Sequence, residues 1–99
     1  MILEVAILNV KIGLNKSFEK DFKLAGKYIS SIEGYITHSI RKCIEKENQY
    51  ILLVEWEKLE NHTIGFRESK EYLKWKELLH HYYEPFPVVE HYEIIKNNS

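Results

Sequence analysis

The chain has 99 residues, of which 44% are hydrophobic and 29% charged, and its formal net charge is −1. That length predicts one domain over residues 1–99, with a modest core that a partner chain would help to stabilise. The charge balance speaks against nucleic-acid binding and against electrostatic membrane binding, and a single cysteine, Cys43, rules out an intrachain disulfide or a zinc site built on several thiolates.

The opening run MILEVAILNV has no basic leader and is broken by Glu4, so it reads as a strand over Ile2 to Lys11 rather than a signal peptide. No run approaches the ~20 apolar residues of a membrane span, and the cytoplasm is the expected compartment. Ile2, Leu3, Val5, Ile7, Leu8 and Val10 place apolar side chains on both faces, as in a strand covered on both sides. Asn9 is the polar exception on the face of Leu3, Val5 and Ile7.

After a turn at Ile12–Asn15, Asn15 or Ser17 can cap a helix. Its apolar positions are Phe18, Phe22, Ala25, Ile29 and Ile32, steps of four and three that mark one face, widened by Leu24 and Tyr28. Gly34 is the stop signal. Tyr35 to Ile44 alternates, Glu45–Asn48 is a polar turn, and Gln49 to Trp56 alternates again; together they predict a hairpin. Lys58 to Gly65 reads as a short helix or an irregular turn. Ser69 is a good N-cap for a helix reaching about His80, with Tyr72, Trp75, Leu78, Leu79 and Tyr82 on its apolar face. Pro85 and Pro87 end it, Val88 to Ile95 is a last strand, and Asn97-Asn98-Ser99 is a polar tail. The core then lies within about 2–95.

The order β-α-β-β-α-β with right-handed crossovers predicts an α+β, ferredoxin-like fold: a four-stranded antiparallel sheet with both helices on one face. The other face would stay uncovered although it carries apolar residues. The expectation is a homodimer packed sheet to sheet; the plainer reading is a surface with scattered apolar residues.

MILEVAILNVK, SSIEGY and YILLVEWEKLENHTIGFRESKEYLKWKELLHHYYEPFPVVEHYE together resemble the antibiotic biosynthesis monooxygenase (ABM) family of dimeric α+β barrels. The resemblance runs from Ile2 to about Ile95. It implies one of three functions: cofactor-independent oxidation of a small aromatic or quinol-like molecule by dioxygen, a non-catalytic small-molecule-binding or stress-related dimer, or heme degradation. The heme-degrading branch carries an Asn, a Trp and a His. Asn9 matches the first, Phe66 stands where the Trp would be, and the His position falls near Lys76, with His80 and His81 about a turn further on.

The resemblance and the residue types point to Asn9 as a substrate-orienting amide and to a base at His80 or His81. Adjacent helical residues point about 100° apart, so one of the two histidines at most would face a pocket. Phe66, Arg67, Tyr72 and Trp75 are the expected substrate-binding wall, with Phe86 and Tyr83 at a pocket mouth or a dimer contact. No cofactor is expected, heme being the alternative; His62 and His91 could join a metal site, but no close HxxH or HxxxH spacing is present and no such site is expected. Each residue also has a bland role. Asn9 can bond to backbone, His80 and His81 can complement the helix dipole, and the aromatics can be plain core. His38 is expected on the strand surface, and Cys43 without a role.

Overall fold

The computed structural model describes residues 1–97, so positions 98 and 99 of the expected polar tail lie outside the described residues. Strand β1 is Ile2–Asn9, helix α1 Asn15–Ser30, β2 Tyr35–Lys42, β3 Gln49–Trp56, helix α2 Lys70–Leu79 and β4 Val89–Glu93. The strands form one antiparallel sheet in the order β2-β3-β1-β4, the expected ferredoxin-like arrangement.

Side chains alternate across a strand, so register decides what is buried. In β1 the inward set is Glu4, Ala6 and Leu8, continued by Val10; in β3 it is Tyr50, Leu52, Val54 and Trp56. These join Phe18, Phe22, Ala25 and Ile29 of α1 and Trp75 and Leu79 of α2 in one core. Trp56, Phe18, Ile29, Leu79 and Val54 are fully enclosed.

The opposite face carries Leu3, Val5, Ile7 and Asn9 from β1 and Gln49, Ile51, Leu53 and Glu55 from β3. Val5 pairs with Leu53, Ile7 with Ile51, and Leu3 with Tyr92 of β4. Its centre is a contiguous apolar patch, on which Ile7 is 41% and Tyr92 52% exposed.

Several boundaries differ from the sequence expectation. Strand β1 ends at Asn9, and Val10 forms an isolated bridge to Tyr83. Strand β2 stops at Lys42 because its partner begins only at Gln49, leaving Ile44 93% exposed. Strand β4 covers only Val89–Glu93. Asn15 does not cap α1; its side chain donates instead to the Glu47 carbonyl (2.9 Å) and the Tyr50 hydroxyl (3.1 Å), tying α1 to β3. Leu24 points to solvent and does not widen the stripe. His38 is half-buried against the Phe22 ring and bonds to the Tyr35 hydroxyl, because the bulge between Tyr35 and Thr37 turns it inward.

Ser69 does cap α2, accepting the Tyr72 amide at 3.1 Å. Before it lies a π-helical turn, Asn61–Phe66, where the Arg67 amide donates to the His62 carbonyl at 3.1 Å. Such wide turns re-aim side chains and are frequent at functional sites; here His62 and Phe66 are both brought into the core. After α2 the chain tightens into a 3₁₀ turn, His80–Tyr82.

Gly34, between α1 and β2, has φ +87°, and a Cβ there would lie 2.1 Å from the Asn61 side chain. Left-handed backbone and a steric clash then act together. Gly34→Ala is expected to cost about 2–4 kcal/mol in urea unfolding, against about 1 kcal/mol for Ser69→Ala.

Candidate active site

A cavity of about 320 Å³ opens on the helix-covered side of the sheet, at the small end of the range for ligand pockets. Its floor is Glu4, Ala6 and Leu8 of β1 with Leu52 of β3; its walls are Phe66, Tyr72 and Trp75; Phe86 and Pro87 sit toward the rim. The Phe66 ring meets both Tyr72 and Trp75 edge-on, at 5.2 and 5.6 Å, an arrangement that fixes aromatic rings in place.

The polar groups are the informative part. Glu4 is 4% exposed and projects from the central strand among aromatic rings. The Trp56 indole donates to its Oε1 at 2.9 Å, and His62 Nε2 lies 3.4 Å from the same oxygen. His62 stacks on the Trp56 ring, 5.6 Å between centroids and 20° between planes, which fixes its orientation. Its Nδ1 is 2.8 Å from His91 Nε2 on β4. Arg67 and His80 also line the cavity.

Burial pushes the Glu4 carboxyl up to about 7, against the downward pull of the Trp56 hydrogen bond and the Arg67 charge. Burial holds His62 down at about 3, helped by repulsion from Arg67 and His91, so His62 is neutral near pH 7. Burial also lowers His80, with a further push from Lys76. A carboxyl that changes charge near neutral pH, in a cavity walled by aromatic rings, is suited to take a proton from a bound hydroxyl.

Of the residues expected from sequence, Phe66, Arg67, Tyr72, Trp75 and His80 line this cavity. Asn9 and His81 do not. Asn9 has the parity of Leu3, Val5 and Ile7, so its side chain lies on the far face of the sheet, where no molecule in the cavity can meet it. Its carbonyl accepts the Glu84 amide at 2.8 Å. His81 is exposed, and its ring bonds to the Leu78 carbonyl at the end of α2. Cys43 is half-buried, its thiol 3.7 Å from Glu45. The sequence reading assigned Glu4 no role and joined His62 with His91 only as possible metal ligands; in the structure they hydrogen-bond to each other. The available signal was parity: Glu4 alternates with Ala6, Leu8 and Val10 on the buried face.

The groups present do not fit the heme-degrading set: the expected iron-ligand position falls near Lys76, which is solvent-exposed, Phe66 stands where the Trp would be, Asn9 is across the sheet, and the cavity is small.

The raised Glu4 value has a consequence for stability. A carboxyl harder to ionise folded than unfolded stabilises the fold while protonated, below about pH 4.5, and loses that contribution as pH rises to about 7. Glu4→Gln should therefore gain stability relative to the wild type between those limits, by about 3 kcal/mol in all. Urea unfolding of both proteins at pH 4.5 and pH 8 measures it; a constant difference would show that Glu4 ionises normally in the folded state.

Residues 1–78 match the antibiotic biosynthesis monooxygenase family. The chain is 55% identical over 93 residues to the uncharacterized protein YczJ of Bacillus subtilis (strain 168), a match covering 94% of this chain and 98% of that one. In structure it is similar to a Bordetella bronchiseptica protein assigned to the antibiotic biosynthesis monooxygenases, at 27% identity and TM-score 0.91, covering 96% of this chain and 97% of that one. It has the same fold as SnoaB, a cofactor-independent oxygenase from Streptomyces nogalater, at 16% identity and TM-score 0.74, covering 99% of this chain and 94% of that one. By the match over most of its length, this chain belongs to the antibiotic biosynthesis monooxygenase family.

Proposed function

We propose that the protein is a cofactor-independent monooxygenase that oxidises a small phenol or quinol with dioxygen, and that Glu4 is its base. One observation carries this reading: a buried carboxyl poised near neutral pH lines an aromatic cavity that also holds Arg67. In the proposed reaction Glu4 takes the hydroxyl proton of the substrate. The phenolate, held against the Arg67 guanidinium, passes an electron to dioxygen, and the resulting radicals combine to a carbon–oxygen bond. The peroxide so formed takes a proton; the hydrogen on the same carbon then leaves as the O–O bond breaks, expelling water and leaving the quinone. A phenol and dioxygen thus become a quinone and water, with no external reductant. Phe66 and Trp75 would hold the ring flat, and His80 would face the substrate from the α2 end.

This assignment moves the base from the histidines expected at residues 80 and 81 to Glu4, and it drops Asn9. The binding-only reading would be favoured by a wholly apolar cavity. The presence of Glu4, Arg67 and His80 in one cavity lining favours chemistry instead.

We also propose a homodimer, joined through the uncovered sheet face. The apolar patch of Val5, Ile7, Ile51 and Leu53 supports it, since such patches on a small chain mark contact surfaces. Light scattering should give twice the chain mass of 11.9 kDa, and Leu53→Lys should halve it. A monomeric wild type would refute the dimer.

The activity test is oxygen uptake with a panel of hydroquinones and naphthols. Saturable uptake is expected, falling by about 100-fold or more in Glu4→Gln and unaffected in Asn9→Ala. Wild-type uptake no faster than autoxidation across the panel would remove the oxygenase reading.

A further inference from the structure

Glu4, His62 and His91 come from three separate elements, β1, the π-helical turn and β4. Glu4 and His91 are paired across the β1–β4 register, and His62 contacts both. His62 turns Nε2 to Glu4 at 3.4 Å and Nδ1 to His91 Nε2 at 2.8 Å. Because one imidazole uses its two nitrogens on two different partners, the groups form a line and do not converge on a point, as metal ligands must. The line begins at an enclosed carboxyl in the cavity floor and ends at a half-buried imidazole on the edge strand.

A neutral imidazole has one donor and one acceptor. Two arrangements therefore satisfy the His62–His91 hydrogen bond, and in each the 3.4 Å contact between His62 and Glu4 must close for a proton to cross it. With Glu4 ionised, His62 carries its proton on Nε2, facing the carboxylate, and His91 donates from Nε2 to His62 Nδ1. With Glu4 protonated, His62 accepts at Nε2 and donates from Nδ1, and His91 carries its proton on Nδ1. The two differ by a single proton.

From this geometry we propose that His62 and His91 are a proton route between Glu4 and solvent, which sets the charge of Glu4 when substrate fills the cavity. The proposal rests on the reading of Glu4 as the base. In the loading direction water gives a proton to His91 Nδ1. The Nε2 proton of His91 passes to His62 Nδ1, and the Nε2 proton of His62 passes to Glu4. One proton enters, one arrives, and both imidazoles end neutral in the other tautomer; release runs in reverse. Arg67 is the charged group acting on all three members, and it opposes an imidazolium at either histidine. Tyr72, His80 and Tyr83 share the cavity with Glu4, while Glu90 and Glu93 flank His91 along β4.

The test needs no substrate. Long-range proton–nitrogen correlation spectra of the isotope-labelled full chain report the tautomers of His62 and His91, and the Glu4 carboxyl carbon reports its charge, between about pH 6 and 9. The expected result is one shared transition. As Glu4 ionises, His62 changes from the Nδ1–H to the Nε2–H form and His91 does the same. In Glu4→Gln both histidines keep one tautomer throughout that range. A Glu4 that ionises while His62 keeps its tautomer would overturn the route. So would a Glu4 with no transition in this range, or a tautomer change that persists in Glu4→Gln. Oxygen uptake without the shared transition refutes the route alone; the shared transition without uptake refutes the oxygenase reading alone.

Discussion

Everything distinctive about this molecule depends on one carboxyl group placed inside its core. Glu4 lies on the central strand, on the face that the helices cover. An unpartnered carboxylate there would cost several kcal/mol. The Trp56 indole and the neutral His62 ring meet it, and no buried side-chain nitrogen or oxygen among the described residues lacks a partner. The cost is met partly by holding a proton until near pH 7. A group kept at that balance is unusual as pure structure and useful as chemistry.

The surrounding elements can be understood as what that placement requires. The β1–β3 register sets Glu4 opposite Val54, and Trp56 ends the same strand on the same face. The π-helical turn swings His62 over the indole and sends Phe66 into the cavity wall. Strand β4, on the free edge of β1, contributes His91 opposite Glu4. The α2 face adds Tyr72 and Trp75, and the segment after it adds His80 and Phe86.

The fold was largely legible in the sequence because alternation and helical spacing are local signals. Strand β3 was bounded correctly, and Phe18, Phe22, Ala25 and Ile29 form the buried stripe of α1 as their spacing implies. The cavity wall at Phe66, Tyr72 and Trp75 was legible as well, through a cluster of aromatics around one helix start. What failed was the choice of face in β1. Both parities are apolar, so Asn9 drew attention as the odd residue on one face while Glu4 held the equivalent position on the other. Only burial by the helices distinguishes the two. His62 and His91 were legible only as a possible metal pair, and their link to Glu4 was hidden for a different reason: the contact between them spans 29 residues and depends on a π-helical turn, which leaves no periodic trace.

The central claim is that ligand chemistry belongs to the helix-covered face and the uncovered face to contact between chains. Amide chemical-shift mapping with 1-naphthol tests it most directly. Binding in the cavity predicts saturable shifts at Glu4, Phe66, Arg67 and Trp75, with Asn9, Ile51 and Leu53 unmoved. Shifts centred on Asn9, Ile51 and Leu53, with Phe66 and Trp75 silent, would contradict it.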